Sequence, residues 1–178
     1  VEAALKAFPC TMIQGYGQTE GMTMTFLSQE DHQRAVAGDH PERLGSCGRE
    51  GFVSEIRVVD PEGEPVPRDG QTAGEIVVRS EANMLGYWRR PDLTEQTLRS
   101  GWMWTGDIAT WDAEGYVFIV DRAKDMIISG GENIYSTQVE AAIHQHPAVL
   151  ESAVFGIPDD TWGEAVKAVV VLKPGQTA

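Results

Sequence analysis

The chain is 178 residues long and carries 14 Lys and Arg against 27 Asp and Glu, a formal charge of −13. This acidic balance repels a phosphate backbone unless one face is locally basic, and no basic cluster interrupts it, so nucleic-acid binding is excluded as the first reading. With 42% hydrophobic and 8% aromatic residues, the chain is too apolar for a disordered acidic segment and long enough to bury roughly 70% of its unfolded surface.

Taken in chain order, residues Val1 to Lys6 favour helix. Pro9 and Cys10 lead into Thr11-Met12-Ile13, an apolar stretch that reads as a strand ending at a glycine-rich turn. Residues 28–48 hold Gly38, Pro41, Gly45 and Gly48 among polar and charged residues, the pattern of an irregular connection. Two strands follow, residues 52–59 and 74–79, each bounded by Pro and Gly, which suggests antiparallel pairing. Pro91 and Asp92 suit the first turn of a helix over 91–99, a turn signal falls at 111–116, and the β-branched and aromatic run 116–120 reads as a buried strand. Beyond Asp125 the pattern changes to a strand at 126–129, an amphipathic helix at 136–146 with Val139, Ala142 and Ile143 on one face, and strands at 149–156 and 163–172. That βαββ-like order marks the start of a second, smaller domain.

Cys10 and Cys47 are the two cysteines, too few for a disulfide framework or a thiolate metal site. No apolar run approaches 18 residues and no Asn-x-Ser/Thr acceptor occurs, so a soluble cytoplasmic protein without a transmembrane segment is expected. The chain opens at Val1 without an initiator Met or signal-like segment and stops at Thr177-Ala178 just after a strand-like stretch, which reads as part of a longer polypeptide. With Lys124 as the boundary, 20 acids face 12 bases in residues 1–124, and 7 face 2 in residues 125–178.

Three groups of residues carry chemistry. In Gly15-Tyr16-Gly17-Gln18-Thr19-Glu20-Gly21, the glycines permit close backbone approach, Thr19 offers a hydroxyl to an anionic oxygen, and Glu20 offers a hard carboxylate suited to Mg2+ on a phosphate. Tyr16 suits stacking on a base. The same residues equally suit a glycine-rich turn with a solvated glutamate. In Trp104-Thr105-Gly106-Asp107, placed before a strand, and Arg122, placed after the next, a carboxylate and a guanidinium match the needs of a ribose, although Arg122 is also placed to pair with Asp121 or Asp125. Asp121-Arg122-Ala123-Lys124-Asp125 is a charged break between β-rich segments where two domains can rotate, and Ser129-Gly130-Gly131-Glu132-Asn133-Ile134 is a glycine loop before a helix. An ordinary turn and a Ser N-cap explain the last pair as well.

In order along the chain, YGQTE at 16–20, GEIVVRS at 74–80, MLGYW at 84–88, the block from Gly101 to Glu140 and VFGIPDDTWGEAVKAVVVL at 154–172 resemble the AMP-forming acyl-CoA synthetases of the adenylate-forming superfamily. The resemblance implies a mixed α/β fold: residues 1–124 as the end of a large AMP-binding domain with a β-rich, distorted barrel-like subdomain, and 125–178 as the start of a small α+β C-terminal domain. It implies ATP, Mg2+ and CoA as cofactors, a small-molecule carboxylic acid, such as a fatty acid, as substrate, and a two-step reaction through an acyl-adenylate. Tyr16 then packs on adenine, Gly15, Gly17 and Gln18 line the nucleotide, Thr19 contacts phosphate and Glu20 attends the Mg2+. Asp107 and Arg122 bind ribose, Lys124 marks the hinge between domain orientations, and Gly130, Gly131 and Trp162 meet CoA.

The sequence departs from the family pattern at Glu50 and Ser136, where relatives commonly carry proline. The family's Ser/Thr/Gly-rich phosphate loop and its adenylation lysine have no counterpart among these residues: Lys173 stands in Lys-Pro-Gly, not before a Gly-Lys pair. The expectation is that the 178 residues alone do not adenylate. The competing readings are an adenylation domain that loads a carrier protein, disfavoured by the Gly130-to-Ile134 run, and a non-catalytic nucleotide-binding module.

Overall fold

The computed structural model describes residues 1–8 and 10–176. Pro9, and the termination at Thr177-Ala178, lie outside the described residues. The chain divides into two units, Val1–Ile119 and Val120–Ala178. No helix among the described residues is long and apolar enough to cross a membrane.

In the first unit, α1 (Glu2–Ala7) precedes a hairpin of β1 (Gln14–Gln18) and β2 (Met22–Leu27), to which β3 (Arg49–Glu50) adds antiparallel. The expected strand at Thr11–Ile13 is irregular, and the glycine-rich segment itself forms β1. The reason is steric. A Cβ at Gly17 would lie 2.0 Å from the Met22 carbonyl oxygen, so the absence of a side chain is what lets the two strands close. Their pairing shifts register between Tyr16 and Gly17.

Residues 28–48 are more ordered than their glycines and prolines suggest. Helix α2 (Gln29–Val36) and a 3-10 turn (Pro41–Gly45) fill the segment. A capping box starts α2: the Ser28 hydroxyl accepts from Asp31 N at 3.1 Å, and Asp31 Oδ2 accepts from Ser28 N at 3.0 Å.

The second sheet runs β4 (Ser54–Val59), β5 (Gly74–Ser80), β7 (Trp102–Trp111), β6 (Leu98–Arg99), with β8 (Val117–Arg122) also pairing with β7. Helix α3 (Pro91–Thr97) precedes β6. The Trp104-to-Asp107 motif lies inside the ten-residue strand β7 rather than before a strand. Alternate residues of β4 and β5, including Ile56, Val58, Ile76 and Val78, join Met24, Met103, Trp111 and Val117 in one buried cluster.

A polar assembly is built into this unit around Tyr116, only 1% exposed. Its hydroxyl donates to Asp31 Oδ1 at 2.6 Å, while the Arg43 and Arg49 guanidinium groups lie over its ring at 4.1 and 4.8 Å. Burial works to raise the Asp31 carboxyl, but hydrogen bonds from Tyr116 and Ser28 outweigh it and hold the group below its ordinary value.

The second unit contains a sheet ordered β10 (Glu132–Ile134), β9 (Ile127–Ser129), β12 (Gly163–Leu172), β11 (Val149–Asp159), with α4 (Ser136–His144) packed on β11. Ser129 to Ile134 is a hairpin, not an open loop, because Gly130 and Gly131 both adopt positive φ and return the chain to pair with β9. The order is therefore ββαββ. Buried Asp121 accepts from Ser136 Oγ at 2.9 Å and from Arg122 N at 2.8 Å, and Thr137 Oγ1 donates to the Val120 carbonyl. Tyr135 occupies the N-cap and Ser136 the first helical position.

Two measurements follow from the packing. Burial pushes the Cys47 thiol up to about 11, whereas Cys10 is exposed; thiol titration of the folded chain at pH 8 should therefore give one fast-reacting cysteine, and two after unfolding. Because the Asp31 carboxyl is held below the usual value near 3.9, its contribution to stability is complete above that pH and is lost as pH falls through the folded value. Urea unfolding of Asp31→Asn should show a loss of stability at pH 7 that shrinks towards pH 2.

Candidate nucleotide site

The β1–β2 hairpin carries the first group of predicted site residues. Gln18 and Met22 are paired, leaving Thr19-Glu20-Gly21 as a three-residue loop closed by a hydrogen bond from Gly21 N to Gln18 O at 3.1 Å. Met22 adopts φ +58, the left-handed conformation that commonly completes such a loop. Gly21 is buried where a Cβ would fall 2.5 Å from the Met24 methyl carbon and 2.6 Å from that of Met103, so the loop sits directly over the core. Thr19 is exposed and Glu20 half-buried at the tip, while Gly15 and Gly17 are exposed on one face of β1.

Tyr16 points to the opposite face of β1, packs against the buried cluster and donates to Asp107 Oδ2 at 2.6 Å. Burial first, and then the Asp107 carboxylate, push the Tyr16 hydroxyl well above its ordinary value, so it remains a protonated donor. This hydrogen bond joins residues 91 positions apart and sets the first predicted group beside Asp107 of the second.

Asp107 is held from below. Its backbone N–H donates to Thr105 Oγ1 at 3.1 Å, and that hydroxyl donates to Ile76 O at 2.8 Å. Gly106 N donates to Glu75 Oε1 at 2.9 Å, and burial raises the Glu75 carboxyl above its usual range despite that bond. Gly106 itself has φ +75, and the β5–β7 register shifts between Glu75 and Val77 where the motif turns.

Glu20 is secured by the segment between β5 and α3. Met84 N donates to the Glu20 carbonyl at 2.6 Å, and the Tyr87 hydroxyl donates to Glu20 Oε1 at 2.8 Å. Burial, with help from Glu20, raises the Tyr87 hydroxyl above its ordinary value. Tyr87, Thr105 and Glu75 were not singled out from the sequence. Tyr87 stands in the MLGYW stretch, but no local spacing ties it to a residue 67 positions earlier.

The remaining predicted residues belong to the second unit. Arg122 ends β8 and is exposed; its carbonyl accepts from Asp125 N at 3.0 Å and Met126 N at 3.1 Å, forming a turn that displays Lys124 to solvent. Gly130 and Trp162 are brought together: Gly130 N donates to Trp162 O at 2.9 Å, and a Cβ at Gly130 would lie 2.7 Å from the indole. Gly131 is open on that side, with φ +86. Trp162 remains 60% exposed.

Among the described residues no group of three or more His, Cys, Asp or Glu stands together as a metal site. Glu20 nevertheless suits a cation that brings its own ligands: Oε1 is engaged by Tyr87, and Oε2 accepts no hydrogen bond among the described residues. Mg2+ held by one carboxylate, phosphate oxygens and water has that requirement.

Residues 1–88 match the model of the AMP-binding enzymes, and residues 138–178 match that of the AMP-binding enzyme C-terminal domain. A feruloyl-CoA synthase of Amycolatopsis sp is 47% identical over 163 residues, 92% of this chain and 31% of that protein. The medium/long-chain-fatty-acid–CoA ligase FadD8 of Mycobacterium tuberculosis is 43% identical over 171 residues, 96% of this chain and 28% of that protein. The structure of o-succinylbenzoate CoA synthetase (MenE) from Bacillus subtilis, in complex with the acyl-adenylate intermediate OSB-AMP, superposes with a TM-score of 0.81 at 36% identity, covering 99% of this chain and 34% of that one. The chain thus spans about a third of the length of the relatives it matches. With both family models matched in order, the chain belongs to the adenylate-forming AMP-binding enzymes.

Proposed function

We propose that this chain forms part of the nucleotide site of an ATP-dependent acyl-CoA ligase. The observation that carries the reading is the Tyr16–Asp107 hydrogen bond, which sets the candidate ribose carboxylate beside the hairpin bearing Thr19 and Glu20. In the first step a carboxylate oxygen attacks the α-phosphorus of ATP, the bond to the β-phosphate oxygen breaks, and pyrophosphate leaves. In the second the sulfur of CoA attacks the acyl carbonyl and AMP departs. Both steps place negative charge at fixed points, so catalysis depends on donors already positioned before the reaction.

Tyr16, with Gly15, Gly17 and Gln18, lines the adenosine. Thr19 donates its hydroxyl to phosphate from the exposed tip. Asp107 accepts from the ribose hydroxyls, with its own backbone fixed through Thr105, and Arg122 supports it as a donor. When bound at Glu20, Mg2+ supplies charge neutralisation on the phosphates. Residues 1–124 act as the rear of the large domain and 125–178 as the front of the small one, with Lys124 at the hinge. In the thioester-forming orientation Gly130, Gly131 and Trp162 meet CoA. Transfer to CoA, rather than to a carrier protein, is supported by the Gly-Gly-Glu-Asn-Ile run at 130–134.

The acid is proposed to be a fatty acid, supported by the likeness to FadD8 and by the exposed Met22, whose flexible thioether suits an aliphatic chain, whereas Met24 is taken up by the core. A second reading, an aryl acid of the ferulate type, is favoured by the 47% identity to the feruloyl-CoA synthase.

Two experiments test the proposal. The full-length ligase carrying this chain should release pyrophosphate with ATP, Mg2+ and one class of a fatty and aryl acid panel. The isolated 178 residues should release none above background, and robust turnover by them would show that the absent phosphate loop and lysine are dispensable. In the full-length ligase, Asp107→Ala should weaken ATP binding about 10- to 100-fold by removing a charged hydrogen-bond acceptor; calorimetry showing unchanged affinity would refute the ribose assignment.

A further inference from the structure

We infer that Tyr87 is a positioning residue for Glu20, fixing one carboxylate oxygen so that the other is presented to the Mg2+ of the bound nucleotide. The inference rests on the reading of Glu20 as the metal-associated carboxylate. A glutamate at a hairpin tip has three rotatable bonds, and holding it in one arrangement costs conformational entropy at the moment of binding. Here that ordering is done in advance. The Tyr87 hydroxyl donates to Oε1 at 2.8 Å, and Met84, from the same segment, donates its backbone N–H to the Glu20 carbonyl at 2.6 Å. Main chain and side chain of one residue are thereby held from one side, while Oε2 takes no hydrogen bond among the described residues.

Tyr87 is itself fixed. Its backbone N–H donates to Thr94 Oγ1 at 2.9 Å, and that hydroxyl donates to Arg90 O at 2.9 Å in the first turn of α3. The preceding Gly86 adopts φ +148 and passes so close to Thr94 that a Cβ would fall 2.8 Å from its methyl carbon. The chain from α3 through Thr94, Gly86 and Tyr87 to Glu20 forms a strut whose end is a single phenolic donor. A tyrosine retained only for packing has no need to spend that donor on a carboxylate at the hairpin tip.

The test compares ATP binding in Mg2+ and in EDTA by calorimetry, without acid or CoA, in the full-length ligase. Tyr87→Phe keeps the ring and removes the donor. It should reduce the Mg2+-dependent gain in ATP affinity about 5- to 10-fold, the loss typical of one ordinary hydrogen bond. Affinity for metal-free ATP and the KM for the acid should remain at wild-type values, a split that a packing defect would not give. Glu20→Gln should lose most of the same gain. Full retention of the gain in Tyr87→Phe, with its loss in Glu20→Gln, would overturn the role of Tyr87 alone. Full retention in Glu20→Gln would overturn the reading of Glu20 and the inference with it.

Discussion

The Tyr16–Asp107 hydrogen bond is the contact on which the candidate site depends. At 2.6 Å, between a buried phenol and a carboxylate, it fastens the β1–β2 hairpin to the long strand β7. The same device recurs twice in the first unit, with Tyr116 on Asp31 at 2.6 Å and Tyr87 on Glu20 at 2.8 Å. In each case the phenolic hydroxyl meets an anion, and for Tyr16 the ring also packs against the buried cluster, so one side chain serves both the core and a polar group. A protonated phenol is a neutral donor. It steadies a carboxylate without adding a charge of its own.

The acidic excess fits the same economy of charge. A chain with formal charge −13 is proposed to hold polyanions, and its own residues supply no basic field for them. The donors near the hairpin are hydroxyls and backbone amides, and most arginines are already occupied: Arg43, Arg49, Arg57, Arg68, Arg79 and Arg99 lie over aromatic rings, several with carboxylate partners. Local geometry, not net charge, therefore decides what the surface attracts.

Much of the fold was legible where a local pattern suffices. The strands read at 52–59, 74–79 and 163–172 and the helices read at 91–99 and 136–146 from periodicity and punctuation agree to within two residues at each end with β4, β5, β12, α3 and α4. Strand β1 was displaced because apolar Thr11-Met12-Ile13 looked more strand-like than Gly15 and Gly17, whose value appears only when β2 closes against them. Helix α2 was masked by the glycines and proline after it, although Ser28-Gln29-Glu30-Asp31 carries a capping signature in plain sight. The ordered motifs nominate Thr19, Glu20 and Asp107 as candidates, yet the tyrosines that bond Asp107 and Glu20 lie 91 and 67 positions away, and no spacing rule encodes such contacts. Sequence names candidate polar groups more readily than the residues that hold them.

The turn at Gly130 and Gly131 shows how two identical neighbours can answer to different demands. At Gly131 there is open space, and the left-handed backbone alone calls for glycine; at Gly130 the indole of Trp162 occupies the place of a side chain as well. The ring thus lies against the turn while most of it stays in contact with water. An indole so placed is a built-in optical reporter, since any molecule running along that turn changes the ring's polarity and its access to quenchers. Of the five tryptophans in the chain, this one reads the glycine turn directly.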